Sequence, residues 1–368
     1  MHTSTETELN RTAAAGYTRR FGRVPIAVAF APGRVNLLGE HTDYNGGVVL
    51  PMPLGLGVSV ALGPGDAIGE IRFASAAFAA EETRRVDEAA TGAWSDYLLG
   101  ALKMLVEPQI ADAGLTVFVA SNLPLGAGLS SSAAVEVATL RAAAAGFDKP
   151  VDPVDLALIA RAVENDFVGM PCGIMDQFAV SVGTPGNALF LDTRTLAHRP
   201  APLPAGSSFL VIHSGVSHQL TDSGYATRVA ECNAACAALG VEMLSDLGPQ
   251  DLARIDAIAA PLNRRARHVV TDNRLTRAGL KALEAGDAAA FGALMTESHA
   301  SERDNYQITV PETDAMVEAA VADGALGARQ TGGGFGGSIV VLVADPEVEG
   351  FTARFAGAFP ETRLLAVT

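Results

Sequence analysis

The stretch Leu123-Pro-Leu-Gly-Ala-Gly-Leu-Ser-Ser-Ser-Ala-Ala134 separates two segments of different structural preference. The β-rich residues 115–120 before it predict a strand, and the alanine-rich run after it, which stops at Gly146, predicts a helix. Small residues between a strand and a helix let backbone N–H groups approach an anion, and the helix N-terminus adds partial positive charge. The stretch therefore predicts a phosphate-binding loop in an α/β framework.

Two common nucleotide motifs do not fit this loop. A dinucleotide fold needs a third glycine, where this chain has Ser131, and an acidic residue that ends a second strand. Asp148 has the right distance but precedes two prolines and a predicted helix. A Walker loop needs a Gly-Lys pair, which the sequence lacks. A nucleoside triphosphate held without lysine is the sharper interpretation, and a serine-capped helix is the alternative.

Composition limits the class of partner. The 368 residues suggest about two domains, and a net charge of −15 argues against nucleic acid and anionic membranes as partners. The uncharged runs at 44–65 and 113–135 are broken by Pro, Gly, Ser or Asn, so no membrane helix is expected.

The three cysteines favour a reducing compartment without disulfides, and Cys232 and Cys236 are expected to be buried thiols. The N-terminus lacks the pattern of a signal peptide, so we expect a cytoplasmic protein.

The periodicity along the chain predicts two α/β or α+β domains, with a boundary in the proline-bearing segment near residue 199. The first domain is therefore expected to span residues 1–198 and the second residues 199–368. Helices are predicted at 11–21, 94–106 (ending at Pro108) and 153–167 (capped by Asp152), and strands at 26–30, 48–50, 57–62, 70–73, 115–120, 189–191, 209–213 and 339–343.

Asp176 is a lone acid surrounded by apolar residues. A charged group rarely enters such surroundings unpaired, so it is either a surface cap of the next helix or a general base. A base would need a cationic partner to stay ionised, and Arg34 is the candidate. Ordinary structural roles are expected for His213 and His218, and a solvated face for 302–304.

Four segments together resemble one family. Residues 31–45, Ala-Pro-Gly-Arg-Val-Asn-Leu-Leu-Gly-Glu-His-Thr-Asp-Tyr-Asn, are similar to the galactokinase sugar-binding motif, and the loop at 123–134 resembles the ATP loop of the GHMP kinases. The stretch 331–338, Thr-Gly-Gly-Gly-Phe-Gly-Gly-Ser, resembles their third motif. Residues 164–177 and 224–228 also match galactokinases. The motifs occur in family order.

The resemblance implies a fold and a set of residue roles. The fold is α+β, with a ribosomal-protein-S5-like N-terminal domain and a ferredoxin-like C-terminal domain. The implied roles fall to three groups of residues. They are Asp176 as base with Arg34 as partner; Glu40, His41, Thr42, Asp43, Gly173 and Tyr225 for the sugar; and Gly126, Ala127, Gly128, Leu129, Ser130, Ser131 and Ser132 for the ATP phosphates, with Ser132 and Glu164 as Mg²⁺ ligands.

The implied activity is transfer of the γ-phosphate of MgATP to the C1 hydroxyl of galactose. A sugar carries a hydroxyl on nearly every carbon, which explains why the stretch at 31–47 holds so many directional polar side chains. A kinase for a related sugar (N-acetylgalactosamine, galacturonate or arabinose) and a non-catalytic galactose and ATP sensor are the alternatives. A monomer is expected, although no sequence feature addresses the oligomeric state.

Overall fold

The computed structural model describes residues 2–216 and 221–368. The strands are β1 (Ala27–Asn36), β2 (Val48–Val49), β3 (Pro51–Pro64), β4 (Glu70–Ser75), β5 (Glu82–Arg85), β6 (Leu115–Ser121), β7 (Asn187–Asp192), β8 (His198–Pro202), β9 (Ser207–His213), β10 (Gly327–Thr331), β11 (Ser338–Ala344) and β12 (Arg363–Val367). The helices are α1 (His2–Phe21), α2 (Asp96–Ala113), α3 (Ser131–Gly146), α4 (Pro153–Ala162), α5 (Met175–Val182), α6 (Thr221–Leu239), α7 (Leu252–Asp256), α8 (Leu262–Ala285), α9 (Ala288–Ser301), α10 (Pro311–Ala322) and α11 (Val348–Ala358).

The chain forms two compact units, and neither is one continuous stretch. Unit 1 comprises Met1–Arg34, Leu54–Leu125 and Ser130–Pro185, and unit 2 comprises Val35–Pro53, Gly126–Leu129 and Gly186–Thr368. The segment that carries residues 40–43 therefore packs with the C-terminal half of the chain. The domain boundary after residue 198 stays a prediction.

Unit 1 is built on a mixed sheet with strand order β1-β3-β6-β4-β5. Strand β6 runs antiparallel to β3 and parallel to β4, and its residues Leu115 to Ala120 are buried because both of its faces are covered. Helix α1 packs on this sheet through Leu9, Ala13 and Tyr17, and the Tyr17 hydroxyl lies 2.6 Å from Thr116 Oγ1. Strand β6 leads directly into the glycine-rich loop and α3.

Unit 2 contains a four-stranded sheet of order β10-β11-β9-β12 and a three-stranded sheet of order β2-β7-β8. The first sheet packs against α10 and α11 through a cluster of buried apolar side chains that includes Met316 and Phe351. A second cluster joins α6 to α8 and includes Cys232, Val269 and Tyr306. These two clusters fix β10 and α8, the elements that support the polar residues described below.

Several predicted elements are confirmed. The strand at 115–120, the end of α3 at Gly146 and the Asp152 cap of α4 agree with the structure; Asp152 Oδ1 accepts a hydrogen bond from Val154 N at 2.8 Å. Gly169 follows the helical stretch as predicted, although residues 163–168 form a π-helix.

Helix α2 leaves the helical conformation at Val106 (φ −136°, ψ 23°), which agrees with the predicted end at residue 106. A second helical stretch that contains Pro108 follows as far as Ala113, and the sequence analysis did not predict it. The proline-bearing segment after residue 198 forms β8, which pairs with β7 at the edge of the three-stranded sheet and so tolerates prolines.

Helix α9 and strand β10 approach each other at two glycines. A Cβ on Gly327 would lie 1.9 Å from the carbonyl oxygen of Gly292. We expect Gly327→Ala to lower the free energy of unfolding by about 1–3 kcal/mol, because backbone atoms must move to admit the methyl group. Chemical denaturation followed by circular dichroism measures the change.

Gly357→Ala in α11 is the matched control, since a Cβ there meets no atom within 4 Å. The control should be neutral or stabilising by up to about 1 kcal/mol, as expected for glycine replaced by alanine inside a helix. Equal stability of the Gly327 variant and the wild type would contradict the close packing of α9 on β10.

Candidate active site

Arg34 and Asp176 form a two-pronged ion pair inside unit 1. Arg34 Nε donates to Asp176 Oδ1 at 2.8 Å, and Arg34 Nη2 donates to Asp176 Oδ2 at 2.8 Å. The Arg34 side chain is 4% exposed, whereas Asp176 is 31% exposed. The guanidinium is thus fixed in the protein by a bidentate pair while the carboxylate stays accessible.

Ser130 adds a third hydrogen bond to Asp176, with its Oγ donating to Oδ2 at 2.6 Å. Ser130 adopts a left-handed backbone conformation (φ 58°) just before α3, which is uncommon outside glycine and indicates local constraint. Asp176 itself lies in the first turn of α5. Three separate segments of unit 1, at Arg34, Ser130 and Asp176, therefore meet at one carboxylate.

Glu164 lies at the start of the π-helix after α4 and is buried. Burial raises the pKa of Glu164 to about 7, and a hydrogen bond from Ser132 opposes that rise. A buried carboxylate beside a hydroxyl presents the hard oxygen donors that Mg²⁺ prefers, and in kinase sites one or two protein ligands suffice beside substrate phosphates. Ser132 and Glu164 therefore fit a magnesium ion.

Glu136 is another buried carboxylate in unit 1, besides Glu164, and the sequence analysis did not identify it. It lies in the first half of α3 and is completely buried. Burial and the neighbouring charge of Glu164 raise the pKa of Glu136 well above its usual range. A single acid within the apolar run Ala133–Ala138 was the available signal.

The segment Gly126–Leu129 belongs to unit 2, where the third motif supports it. Ser338 Oγ donates to the carbonyl oxygen of Ala127 at 2.8 Å, and Ser338 is fully buried. A Cβ on Gly332 would lie 2.8 Å from the carbonyl oxygen of Gly128, so the two glycine-rich stretches touch through their backbones. The third motif therefore shapes the first part of the predicted phosphate loop.

Side chains of helix α8 form hydrogen bonds with the backbone of the sugar motif. Asp272 Oδ2 accepts hydrogen bonds from the backbone N–H of Gly39 at 3.1 Å and of Glu40 at 2.9 Å, and Oδ1 accepts from Ser298 at 2.6 Å. One turn earlier, His268 Nε2 donates to the carbonyl oxygen of Glu40 at 3.0 Å. Both backbone polar groups of Glu40 are thus satisfied by buried side chains of α8.

Arg329 fixes the Glu40 side chain. It is completely buried on β10, forms an ion pair with Glu302, and lies 3.3 Å from Glu40 Oε2, which also accepts from Gly332 N at 3.1 Å. Burial lowers the pKa of Arg329, but the charges of Glu302 and Glu40 outweigh that effect and raise it. The prediction of a solvated face at 302–304 is wrong for Glu302, which is fully buried against Arg329.

A chain of hydrogen bonds connects His41 with Cys232, and in it each residue donates to the next one toward His41. Burial lowers the pKa of His41 to about 3, so the ring is neutral. Its Nε2 lies 3.2 Å from the carbonyl oxygen of Gly333, which only accepts, so Nε2 carries the proton and Nδ1 accepts from the Tyr44 hydroxyl at 2.9 Å. Tyr44 then accepts from Tyr306 at 2.6 Å, and Tyr306 from Cys232 at 3.1 Å.

The remaining predicted sugar residues have different surroundings. Thr42 is fully buried, and its hydroxyl donates to the carbonyl oxygens of Gly39 and Val48 at 3.0 and 2.9 Å. The Tyr225 ring lies 5.0 Å from the His41 ring. Asp43, two residues after His41, starts a 3₁₀ turn. Gly173 is buried in unit 1. His218 lies outside the described residues.

The structure thus groups the predicted residues within each unit. Arg34, Ser130 and Asp176 meet in unit 1, as do Ser132 and Glu164, and Glu40, His41 and Tyr225 lie in unit 2. The sequence analysis missed supporting residues that lie far away in sequence. They are Glu136, His268, Asp272, Glu302, Tyr306 and Arg329.

Two searches of the described residues were negative. No helix there is long and apolar enough to cross a membrane. Within the same ranges, no cluster of three or more His, Cys, Asp or Glu side chains could hold a metal ion.

Three family models match the chain. The galactokinase galactose-binding signature matches residues 15–64, the GHMP kinase N-terminal domain residues 96–184, and the GHMP kinase C-terminal domain residues 280–359. These matches include the sugar motif and the phosphate loop, and the third begins within α8 and ends beyond the third motif.

Curated relatives and solved structures agree with these matches. Galactokinase from Chloroflexus aurantiacus is 41% identical over 94% of this chain and 91% of that protein, and galactokinase from Roseiflexus sp. is 41% identical over 93% and 90%. The crystal structure of Lactococcus lactis galactokinase complexed with galactose superposes with a TM-score of 0.90 at 30% identity, covering 96% of this chain and 97% of that one.

A more distant structure, Methanococcus jannaschii mevalonate kinase, has a TM-score of 0.70 at 18% identity, covering 92% of this chain and 97% of that one, which supports the shared fold. The predicted α+β GHMP kinase fold is confirmed. With its motifs, its fold and its full-length relatives in agreement, the chain belongs to the galactokinases of the GHMP kinase family.

Proposed function

We propose a division of roles for the galactokinase reaction, the transfer of the γ-phosphoryl group of ATP to the C1 hydroxyl of galactose. Unit 1 carries the residues that act on the transferred group, and the motif at 40–43 in unit 2 recognises the sugar. The two-pronged pair of Arg34 with the accessible Asp176 carries this proposal, because it supplies an ionised acceptor and a fixed positive charge together.

Asp176 accepts the proton of the C1 hydroxyl as that oxygen attacks phosphorus. Arg34 keeps the carboxylate charged before the reaction and offsets negative charge on the transferring group during it. Ser130 holds Oδ2 at 2.6 Å and so restricts rotation of the carboxylate. Phosphoryl transfer depends mainly on such alignment and charge stabilisation, with little covalent chemistry required from the protein.

The loop from Gly126 to Ser132 is assigned to the ATP phosphates, through its backbone N–H groups and the N-terminus of α3. Ser132 and Glu164 are assigned to Mg²⁺, which when bound neutralises phosphate charge. Glu164 must lose its proton to bind the cation, and its pKa of about 7 places that step close to neutral pH.

The sugar hydroxyls are assigned to Glu40, His41 and Asp43, and Tyr225 and Gly173 are assigned to the same substrate. Carboxylates accept from two hydroxyls at once, whereas both ring nitrogens of His41 are already bonded, to the Gly333 carbonyl and the Tyr44 hydroxyl, so His41 meets the sugar only by exchanging one of these bonds. Thr42 contributes by holding the loop closed through its two bonds to backbone carbonyls.

The activity is tested by ADP release with MgATP and a panel of galactose, glucose, N-acetylgalactosamine, galacturonate and arabinose. Turnover confined largely to galactose supports the proposal. Turnover mainly with another member of the panel would move the substrate to that sugar. Galactose binding without ADP release would instead identify a sugar sensor.

The role of Asp176 is tested with Asp176→Asn. We expect turnover to fall by roughly 10²–10⁴-fold while galactose binding persists, because the amide keeps the shape of the side chain but cannot accept the proton. Steady-state kinetics and calorimetric titration with galactose give the two quantities. Asp166→Asn removes the same charge from an exposed position nearby in sequence and should leave both unchanged. Near-wild-type turnover of the Asp176 variant would exclude it as the base.

Asp43→Ala tests the sugar assignment. Loss of a carboxylate that accepts from sugar hydroxyls should raise KM for galactose by roughly 10–100-fold, since hydrogen bonds to a charged group contribute about 1.5–3 kcal/mol. The preference for galactose over glucose should fall as well. Kinetics with both sugars measure this, and an unchanged ratio of kcat/KM values would remove Asp43 from the pocket.

Asp272 is assigned as a positioning residue for the sugar motif, because it accepts the N–H groups of Gly39 and Glu40. Asp272→Asn should raise KM for galactose by about 5–30-fold, with kcat and KM for ATP within about twofold, because a neutral oxygen holds the two N–H groups less firmly. The exposed Asp256→Asn is the control. A parallel loss of kcat and of thermal stability, without a change in KM for galactose, would show a purely structural role.

A further inference from the structure

A cleft of about 570 Å³ opens in unit 2 beside helix α8, and the residues that line it are different from those assigned above. The turn between β7 and β8 and the segment at 245–249 form its other walls. Four cationic side chains line it, and Asp192 is the one acidic residue among the described residues that do so. The cations are Arg194, Arg274, Arg277 and Lys281.

Two of these cations already have partners. Arg194 pairs with Glu242 and Asp246, and Arg274 pairs with Glu297.

The other two are not neutralised. Arg277 and Lys281 are exposed, lie one helical turn apart on α8, and have no carboxylate within ion-pair distance among the described side chains, which are those of residues 5–216 and 224–368. Like charges at this spacing repel each other. In a chain of net charge −15 with three lysines, this local excess of positive charge favours an anion in the cleft.

The rest of the lining suits a small polar molecule. Leu247, Pro249 and Val270 provide apolar surface, and Thr195 provides a hydroxyl. Asn273 Oδ1 accepts a hydrogen bond from Val48 N at 2.9 Å, and this bond fixes the orientation of the amide. The N–H₂ group of Asn273 adds a hydrogen-bond donor to the lining. The volume lies within the range of small-molecule sites, whereas the net charge of the chain disfavours a large polyanion.

We propose that this cleft binds a small phosphorylated metabolite, whose phosphoryl group is held by Arg277 and Lys281. The arginine fork matches two phosphoryl oxygens, and the lysine contributes a point charge. The bound molecule lies against Gly46, which lines the cleft and ends the 3₁₀ turn that starts at Asp43. The site is distinct from the residues assigned to the reaction, and it adjoins the segment assigned to the sugar.

The test is calorimetric titration of the full chain with ribose 5-phosphate, glucose 6-phosphate and inorganic phosphate, without MgATP or galactose. We expect saturable binding of a sugar phosphate at one site. The double variant Arg277→Ser/Lys281→Ser should weaken it by at least about tenfold, because both charge-assisted contacts are lost. Arg11→Ser/Arg19→Ser removes two exposed charges from α1 in unit 1 and should bind as the wild type does.

Three outcomes would overturn the proposal. They are no binding of either sugar phosphate to the wild type, equal binding by the Arg277/Lys281 variant, and binding of inorganic phosphate alone. Kinase activity with galactose and MgATP, measured without added inorganic phosphate or the two titrated sugar phosphates, should stay within about twofold of wild type in both double variants. A failure of the cleft therefore leaves the assignment of the reaction untouched, and the reverse also holds.

Discussion

The buried guanidinium of Arg329 organises the sugar motif. Removing such a charge from water is strongly unfavourable unless it is paired and hydrogen bonded, and Glu302 and Glu40 supply that pairing. Because Glu40 is drawn into this network and its backbone is held by Asp272 and His268, the motif has little freedom to change shape. A rigid loop can discriminate hydroxyl configurations, since a mismatched sugar leaves buried polar groups unpaired.

The proposed base is also a carboxylate paired with a buried arginine, but this carboxylate is accessible. Arg34 is as inaccessible as the groups around Arg329, but its carboxylate partner Asp176 is about one-third exposed. A carboxylate that is both paired and accessible is held in place and can still meet a substrate. Glu164 differs, because it is buried and its pKa is raised by burial to about 7. Pairing and burial thus give Asp176 and Glu164 of unit 1 different surroundings.

The sequence predicted what is local, and it failed where distant segments meet. Strand β6, the glycine loop and α3 follow from periodicity and turn residues, and the pairing of Asp176 with Arg34 followed from the rule that a semi-buried acid needs a cation. Glu302 was misjudged because a Glu-Arg-Asp triplet is usually solvated, and nothing nearby in sequence announces Arg329. The break of α2 at Val106 follows from the local effect of Pro108, whereas the second helical stretch as far as Ala113 was not predicted.

The sequence could not reveal the roles of Asp272 and His268 either, because their partners at Gly39 and Glu40 are more than 200 residues away along the chain. Their spacing on α8 nevertheless has a physical consequence. The buried face of α8 holds the sugar motif, while the face that carries Arg277 and Lys281 lines the cationic cleft. The buried face of α8 is close-packed, and close-packed interiors deform little, so the helix moves there as a rigid element. Any molecule that shifts α8 from the cleft must therefore also strain the bonds to Gly39 and Glu40, and a sugar that tightens those bonds must act back on the cleft to the same extent.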